Sequence, residues 1–388
     1  MQDLAARRGV PHVQRAGAVL GKLPTGQHLE GADRIAGSHY CTNIRTCLRC
    51  VYSSLCYTPP VIDSTLRGQL ERHARFANTM RGYFAQCGYM EVETPALSPF
   101  LIPEPAIEVF QTRYTRAGSR DRDLWLIPSP ELWMKRLLGR GSGNIFQISR
   151  SFRNGDLGSP VHNPEFRLLE WYTVGSGYLE SIGILEGLFS KLLSSGWRDD
   201  AGTLSPPFRR LTMNEAFQQH AGIDLLHCQD VENLVAAARR RGLDMPGDST
   251  WEEVFHIVFL TLVEPALPRD RPLVLLDYPA LVPTTARRTA GTPWAQRWEL
   301  FIGGVEIANC YTEETDQQAL ETLLREEAER KKKCLVQHRI DEGIANAFPP
   351  GFPPVSGTAL GVDRLEMVFS GERSLEGVIL FPFSDIVR

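Results

Sequence analysis

The chain has 388 residues, 43% of them hydrophobic, enough to bury one large core or two modest ones. Its formal net charge of -4 argues against binding nucleic acid through bulk electrostatics. No apolar run reaches the roughly 18 residues that span a bilayer, and the N-terminus lacks the apolar core of a signal peptide, so a cytoplasmic protein with no membrane role is expected.

Residues 1–58 carry little sustained periodicity and read as an N-terminal extension, of no assigned role, ahead of a folded domain at 59–388. Cys41, Cys47, Cys50 and Cys56 stand together there, spaced C-x5-C-x2-C-x5-C. The middle pair has the separation of a zinc knuckle, while the flanking gaps are long for a standard finger. A structural zinc site and a loosely ordered stretch both stay open. Cys87, Cys228, Cys310 and Cys334 are scattered and are expected as reduced thiols.

Regular pattern begins near Thr65, where Leu66, Leu70, Ala74, Ala77, Met80 and Phe84 recur at helical spacing until Gly88. Met90 to Thr94 alternates like a short strand that Pro95 ends, and 100–125 reads as irregular chain. Ser129 followed by Pro130 predicts an N-cap with proline at the first helical position, opening a helix over Glu131–Leu138. Ile145 to Phe152 and Glu165 to Val174 read as a long hairpin around a polar loop. From about 180 to 265 the pattern is mainly helical, an insertion within a sheet-based core. Sheet returns at Leu273–Tyr278 and Trp298–Asn309, and a charged helix covers about 316–333, with Lys331-Lys332-Lys333 expected as its solvated end.

The hairpin at 145–174 is the richest element. Its loop carries Arg153, Asn154, Asp156, His162 and Asn163, and on its return strand Phe166, Leu168, Glu170 and Tyr172 share one face. A carboxylate there suits an amine, and a loop arginine suits a phosphate or carboxylate; an ordinary surface hairpin with an ion pair is the plain alternative. Further on, Gly303-Gly304 predicts a two-residue turn that pairs Phe301 with Glu306 and Glu299 with Ala308. Both glutamates then project from one face, roughly 6 to 8 Å apart. Magnesium on a polyphosphate is the common way to relieve such a pair. Asn309, Tyr311, Glu313 and Glu314 follow, more acid than a packed strand end needs. Last, Ser356 to Met367 places small residues before a helix with Arg364 in its opening turn, and it lacks the Walker pattern.

Taken in order, these elements resemble the three motifs of class II aminoacyl-tRNA synthetases. Glu91-Val92-Glu93-Thr94-Pro95 is similar to motif 1, Phe152-Arg153 through Tyr172 to motif 2, and Gly361-Val362-Asp363-Arg364 to motif 3. His162-Asn163-Pro164-Glu165-Phe166 and Leu169-Glu170-Trp171-Tyr172 resemble lysyl-tRNA synthetases and especially their short paralogues, the elongation factor P lysine ligases. The resemblance covers about 60–388. It implies an α+β fold, an antiparallel sheet flanked by helices with the helical insertion, and a homodimer built through motif 1.

The resemblance also implies roles. Arg153 contacts the α-phosphate and the amino-acid carboxylate, Phe166 stacks on adenine, and Arg364 covers the other side of the nucleotide. Asn154, His162, Asn163, Ile307 and Gly361 fall at further ATP-contact positions, and Glu299 and Glu306 hold Mg2+. Ser129 and Glu131 match the grip on the substrate's α-amino end; Glu170, Tyr172, Asn309, Tyr311 and Glu313 match the distal-amine end. Ala359 stands where the synthetases usually have glycine and the paralogues alanine, a change associated with β-lysine preference. The synthetases also carry an anticodon-binding barrel before motif 1, for which the stretch ahead of the first helix is too short and unpatterned. The implied reaction is therefore adenylation of lysine or (R)-β-lysine with ATP and transfer to a lysine of elongation factor P, rather than to tRNA. Charging of tRNA and a non-catalytic module with this fold are the alternatives. One departure touches adenine recognition: the common Arg-Asn-Glu is here Arg153-Asn154-Gly155, with Asp156 next.

Overall fold

The computed structural model describes residues 64–387 apart from 119, 156–158, 198, 200, 201 and 342, so Asp156 and the cysteine group at 41–56 lie outside the described residues. Helix α1 (Ser64–Gln86) buries Phe76, Met80 and Phe84 along one stripe. It ends at Gly88, whose φ of 80° is the left-handed turn that glycine enters without strain. Strand β1 follows and is shorter than predicted, Met90–Glu91. Where the sequence suggested irregular chain, β2 (Leu97–Ser98), β3 (Gln111–Tyr114) and β4 (Arg122–Leu126) form a small sheet in the order β2-β4-β3. All four residues of β3 are exposed, so no hydrophobic alternation marked it.

Helix α2 (Glu131–Leu138) precedes β5 (Ile145–Phe152) and β6 (Glu165–Val174), which pair antiparallel as expected from the hairpin. Pro130, rather than Ser129, occupies the N-cap of α2. Ser129 still serves the helix end, because its Oγ accepts from the Glu131 amide at 3.0 Å. Then come α3 (Tyr178–Ser194), β7 (Arg209–Thr212), α4 (Val231–Arg240) and α5 (Trp251–Val258). After them, β8 (Leu273–Pro279), β9 (Trp294–Ile302) and β10 (Val305–Thr312) lead to α6 (Gln317–Lys331), β11 (Val355–Gly361) and α7 (Val362–Ser370).

The main sheet has the order β1-β5-β6-β11-β10-β9-β8-β7. Its inner pairs are antiparallel, while the two outermost pairs, β1 with β5 and β7 with β8, run parallel. Period-two alternation sorts its side chains. Leu169, Trp171, Val274, Leu276 and Leu300 join the large core with α1, α3 and α7. Leu273, Leu275 and Phe301 point the other way, into a second core with α4 and α5. On that second side the middle strands are left uncovered by apolar packing, and there the cavity opens.

A buried ionic clasp ties β6 to α7. Arg167 Nε lies 2.7 Å from Asp363 Oδ1 and its Nη2 2.6 Å from Glu366 Oε2, and His73 of α1 stands 3.2 Å from the same Glu366. Removing one partner strands a buried charge. Arg167→Leu is expected to cost about 3–5 kcal/mol in urea unfolding; a loss below about 1 kcal/mol would mean the clasp contributes no more than a surface pair.

Candidate active site

The register of the central strands sets the site. Glu170, Ala359, Asn309 and Glu299 are direct cross-strand partners on β6, β11, β10 and β9, and Tyr172, Gly357, Tyr311 and Arg297 form the adjacent row. Strands lie about 4.8 Å apart, so a row of four spans about 14 Å. These rows floor a cavity of about 450 Å³ that is also lined by Ser129, Glu131, Arg153, His162, Asn163, Phe166, Glu306, Ile307, Gly361 and Arg364. Of the residues expected to contact ligand, Asn154 and Glu313 are not on this lining. Asn154 is bridged to Glu108, and the Glu313 carboxylate lies over Gly357 on the side where a Cβ would project.

The expected hairpin at Gly303-Gly304 is present, both glycines with positive φ (61° and 87°), and Glu306 pairs with Phe301. Its register departs from the expectation one step further on. A bulge between Glu306 and Ala308 makes Leu300 the partner of Ala308 and Glu299 the partner of Asn309. The extra residue restores phase: Glu306 shares the cavity side with Asn309 and Tyr311, which strict alternation would have turned away.

At one end of the cavity the Arg153 guanidinium sits 5.3 Å from the Phe166 ring centroid. Its Nε is buried and has no hydrogen-bond partner among the described residues. Arg364 spans the neighbouring wall, donating to Val161 O at 3.1 Å, to Glu306 O at 2.8 Å and to His162 Nε2 at 2.8 Å. Asn163 is engaged by the chain itself, accepting from the Phe383 amide at 2.9 Å and donating to Glu165 O at 2.5 Å. Gly155, which follows Arg153-Asn154, has φ 88°, a conformation glutamate rarely adopts.

Glu299 accepts from Tyr278 Oη at 2.5 Å and from Arg297 Nη2 at 2.7 Å. Burial pushes its carboxyl up to about 7, with Arg297 opposing and the Glu306 charge adding to the rise. A divalent cation removes that repulsion, and Mg2+ is commonly held by one or two carboxylates completed by phosphate oxygens. Glu299 and Glu306 fit that role. Among the described residues, no group of three His, Cys, Asp or Glu could hold a metal by itself.

The opposite end is acidic and largely buried. Ser129 Oγ donates to Glu170, which is 3% exposed. Burial, reinforced by the Glu131 charge, pushes Glu170 up to about 8. Lys135, on α2 one turn after Glu131, is 3% exposed and stands 2.5 Å from Glu131 Oε1 and 2.7 Å from Glu313 Oε2. Burial works against its charge, but the two carboxylates hold it protonated. Tyr311 Oη donates to Glu131 Oε1 at 2.9 Å. Sequence reasoning missed Lys135, Arg297 and Glu104 here. A lysine at i+4 from a glutamate normally signals a solvated helix face, and only the tertiary fold turns this face inward.

The geometry defines a class of protein, and comparison with known proteins agrees. The chain matches the family model of tRNA synthetases class II (D, K and N) over residues 61–385 and belongs to that family. It is 35% identical over 320 residues to the elongation factor P--(R)-beta-lysine ligase of Yersinia enterocolitica, covering 81% of this chain and 94% of that protein. The ligase of the same name from Haemophilus influenzae Rd is 33% identical over 322 residues, 82% and 96% of the two chains. The lysine--tRNA ligase of Pelotomaculum thermopropionicum is 33% identical over 338 residues, 84% of this chain and 65% of that protein.

Two outcomes test the site. A Cβ on Gly357 would lie 2.5 Å from Tyr172 Cε1 and 2.7 Å from Glu313 Oε1, so Gly357→Ala is expected to lower amino-acid affinity at least about 10-fold while the fold survives; unchanged affinity by calorimetry would remove Gly357 from the site. Because the Glu170 pKa is raised on folding, this group stabilises the free protein below the ordinary carboxylate range and that contribution is lost as pH rises through about 8. Thermal unfolding from pH 5 to 9 is expected to show a falling midpoint, and Glu170→Gln a shallower fall.

Proposed function

We propose that this chain activates lysine or (R)-β-lysine as an aminoacyl-adenylate and transfers it to a lysine side chain of elongation factor P. The chain is an ATP-dependent amino-acid ligase of the class II type. The observation that carries the reading is one continuous cavity with the Arg153–Phe166 platform at one end and two acids, the half-buried Glu131 and the buried Glu170, at the other. A nucleotide suits the first end and an ammonium the second.

In this reading adenine stacks on Phe166 and the amino-acid carboxylate attacks the α-phosphate, releasing pyrophosphate. No protein nucleophile is needed. Arg153 and Arg364 neutralise charge that develops on phosphate oxygens, and the rows of the sheet hold the two reactants in line. Mg2+, held by Glu299 and Glu306, supplies further neutralisation when bound. The ε-amine of the acceptor lysine then attacks the adenylate carbonyl and AMP leaves.

Ala359 supports the β-lysine preference, since its methyl group stands in the row between Glu170 and Asn309, on the cavity floor. The acceptor comes from the names of the ligases that this chain covers along 94% and 96% of their length. A homodimer through motif 1 accounts for the exposed Leu66, Leu70, Met90 and Leu97 on α1, β1 and β2. No helix among the described residues is long and apolar enough to cross a membrane, and a cytoplasmic location fits the proposed acceptor.

Incubation with ATP, labelled lysine isomers, elongation factor P and total tRNA is expected to label elongation factor P. Label on tRNA alone would overturn the acceptor, and no pyrophosphate exchange with any lysine isomer would overturn the activity. Arg153→Ala is expected to reduce exchange by about 100-fold or more, the loss typical of a group that stabilises transition-state charge.

A further inference from the structure

Four carboxylates gather at the amino-acid end: Glu104, Glu131, Glu170 and Glu313. Lys135 makes ion pairs with two of them, Glu131 and Glu313, one ammonium shared between two carboxylates. The other two have no such partner. Among the described residues no Lys, Arg or His side chain makes an ion pair with Glu104 or Glu170; the charges of Arg153, Lys135 and Lys331 act on Glu104 only from a distance. Glu170 stands on the sheet beside Tyr172 and Ala359, at the distal-amine end. Glu104 comes from the loop between β2 and β3, lines the same cavity, and is acted on electrostatically by both Glu131 and Arg153.

That loop is held in place from outside. Lys331, expected at a solvated helix end, is only 2% exposed, and its Nζ donates to the backbone carbonyls of Ile107 at 2.5 Å and Glu104 at 3.3 Å. Cys334 Sγ donates to Pro105 O at 3.2 Å, and the Glu108 carboxylate accepts from the amides of Leu335 and Val336. A loop fixed at four successive points presents Glu104 to the cavity as a built part of its wall.

Two carboxylates without an ion-pair partner among the described residues line the cavity, and a diamino acid brings two ammonium groups. We propose that Glu104 is a further specificity-determining carboxylate for the amine nearer the carboxyl group, on Cα or Cβ, acting beside Glu131, as Glu170 is for the distal amine. The proposal rests on the lysine-ligase reading and deepens it. A substrate with only the distal amine leaves the Glu104 charge without a partner, so the site favours a diamino acid over an ω-amino acid of the same length.

The test is Glu104→Gln in the full-length chain, assayed by pyrophosphate exchange with α-lysine and (R)-β-lysine and by competitive inhibition with 6-aminohexanoate, which lacks the nearer amine. Losing a charge-assisted contact is expected to raise KM for the preferred lysine isomer about 10- to 100-fold with kcat little changed, while Ki for 6-aminohexanoate stays within about 2-fold. The inhibition constant also reports an intact cavity. An unchanged lysine KM would overturn the proposal, and so would equal weakening of 6-aminohexanoate, which marks a structural role. Wild-type protein inactive with every lysine isomer rejects the ligase reading and this inference with it, and that result is visible before any variant is made.

Discussion

The register of four antiparallel strands is the constraint on which the site depends. Side chains on neighbouring strands meet only where the pairing aligns them, and a slip of one residue turns every side chain to the other face. Here that alignment brings Glu170, Ala359, Asn309 and Glu299 into one row and Tyr172, Gly357, Tyr311 and Arg297 into the next. Glu170 and Glu299 stand at the two ends of one row, so the spacing of the paired strands fixes the distance between these two acids.

Electrostatics then divides this surface into two unlike ends. Burial raises Glu170, Glu313 and Glu299 alike, yet each is handled differently. Lys135 lies against Glu313, Arg297 against Glu299, and Glu170 has, among the described residues, a serine hydroxyl. A site left with unpaired buried acid is unfavourable when empty and relaxes when a cation enters, so part of the cost of folding around Glu170 is recovered on binding. The clasp of Arg167 with Asp363 and Glu366 works in the opposite sense. It is complete without ligand and holds motif 2 against motif 3 whatever the cavity contains.

Much of this was legible in the sequence because the informative segments obey simple periods. The strands of the hairpin at 145–174 and the run Leu273–Tyr278 are continuous stretches, buried along most of their length and bounded by turn residues, and Gly303-Gly304 suits a two-residue turn. What escaped has physical reasons. The small sheet of β2, β3 and β4 exposes most of its side chains and leaves no apolar alternation. Lys135 and Lys331 lie on helices whose charged positions look solvated until tertiary packing covers them. The bulge at Ile307 is invisible to any argument that assumes uniform pairing, and it moved the partner of Glu299 by one residue.

That bulge gives the two halves of one strand independent phase. Beyond it, Asn309 and Tyr311 are locked to β11 and through it to β6; before it, Glu306 is held by the glycine turn, by β9 and by Arg364, which donates to its carbonyl. A strand built this way works like a coupling with one free tooth. The bulge separates the facing of the turn-proximal residues from that of Asn309 and Tyr311, so a change of phase at the turn need not rotate the residues on the cavity floor.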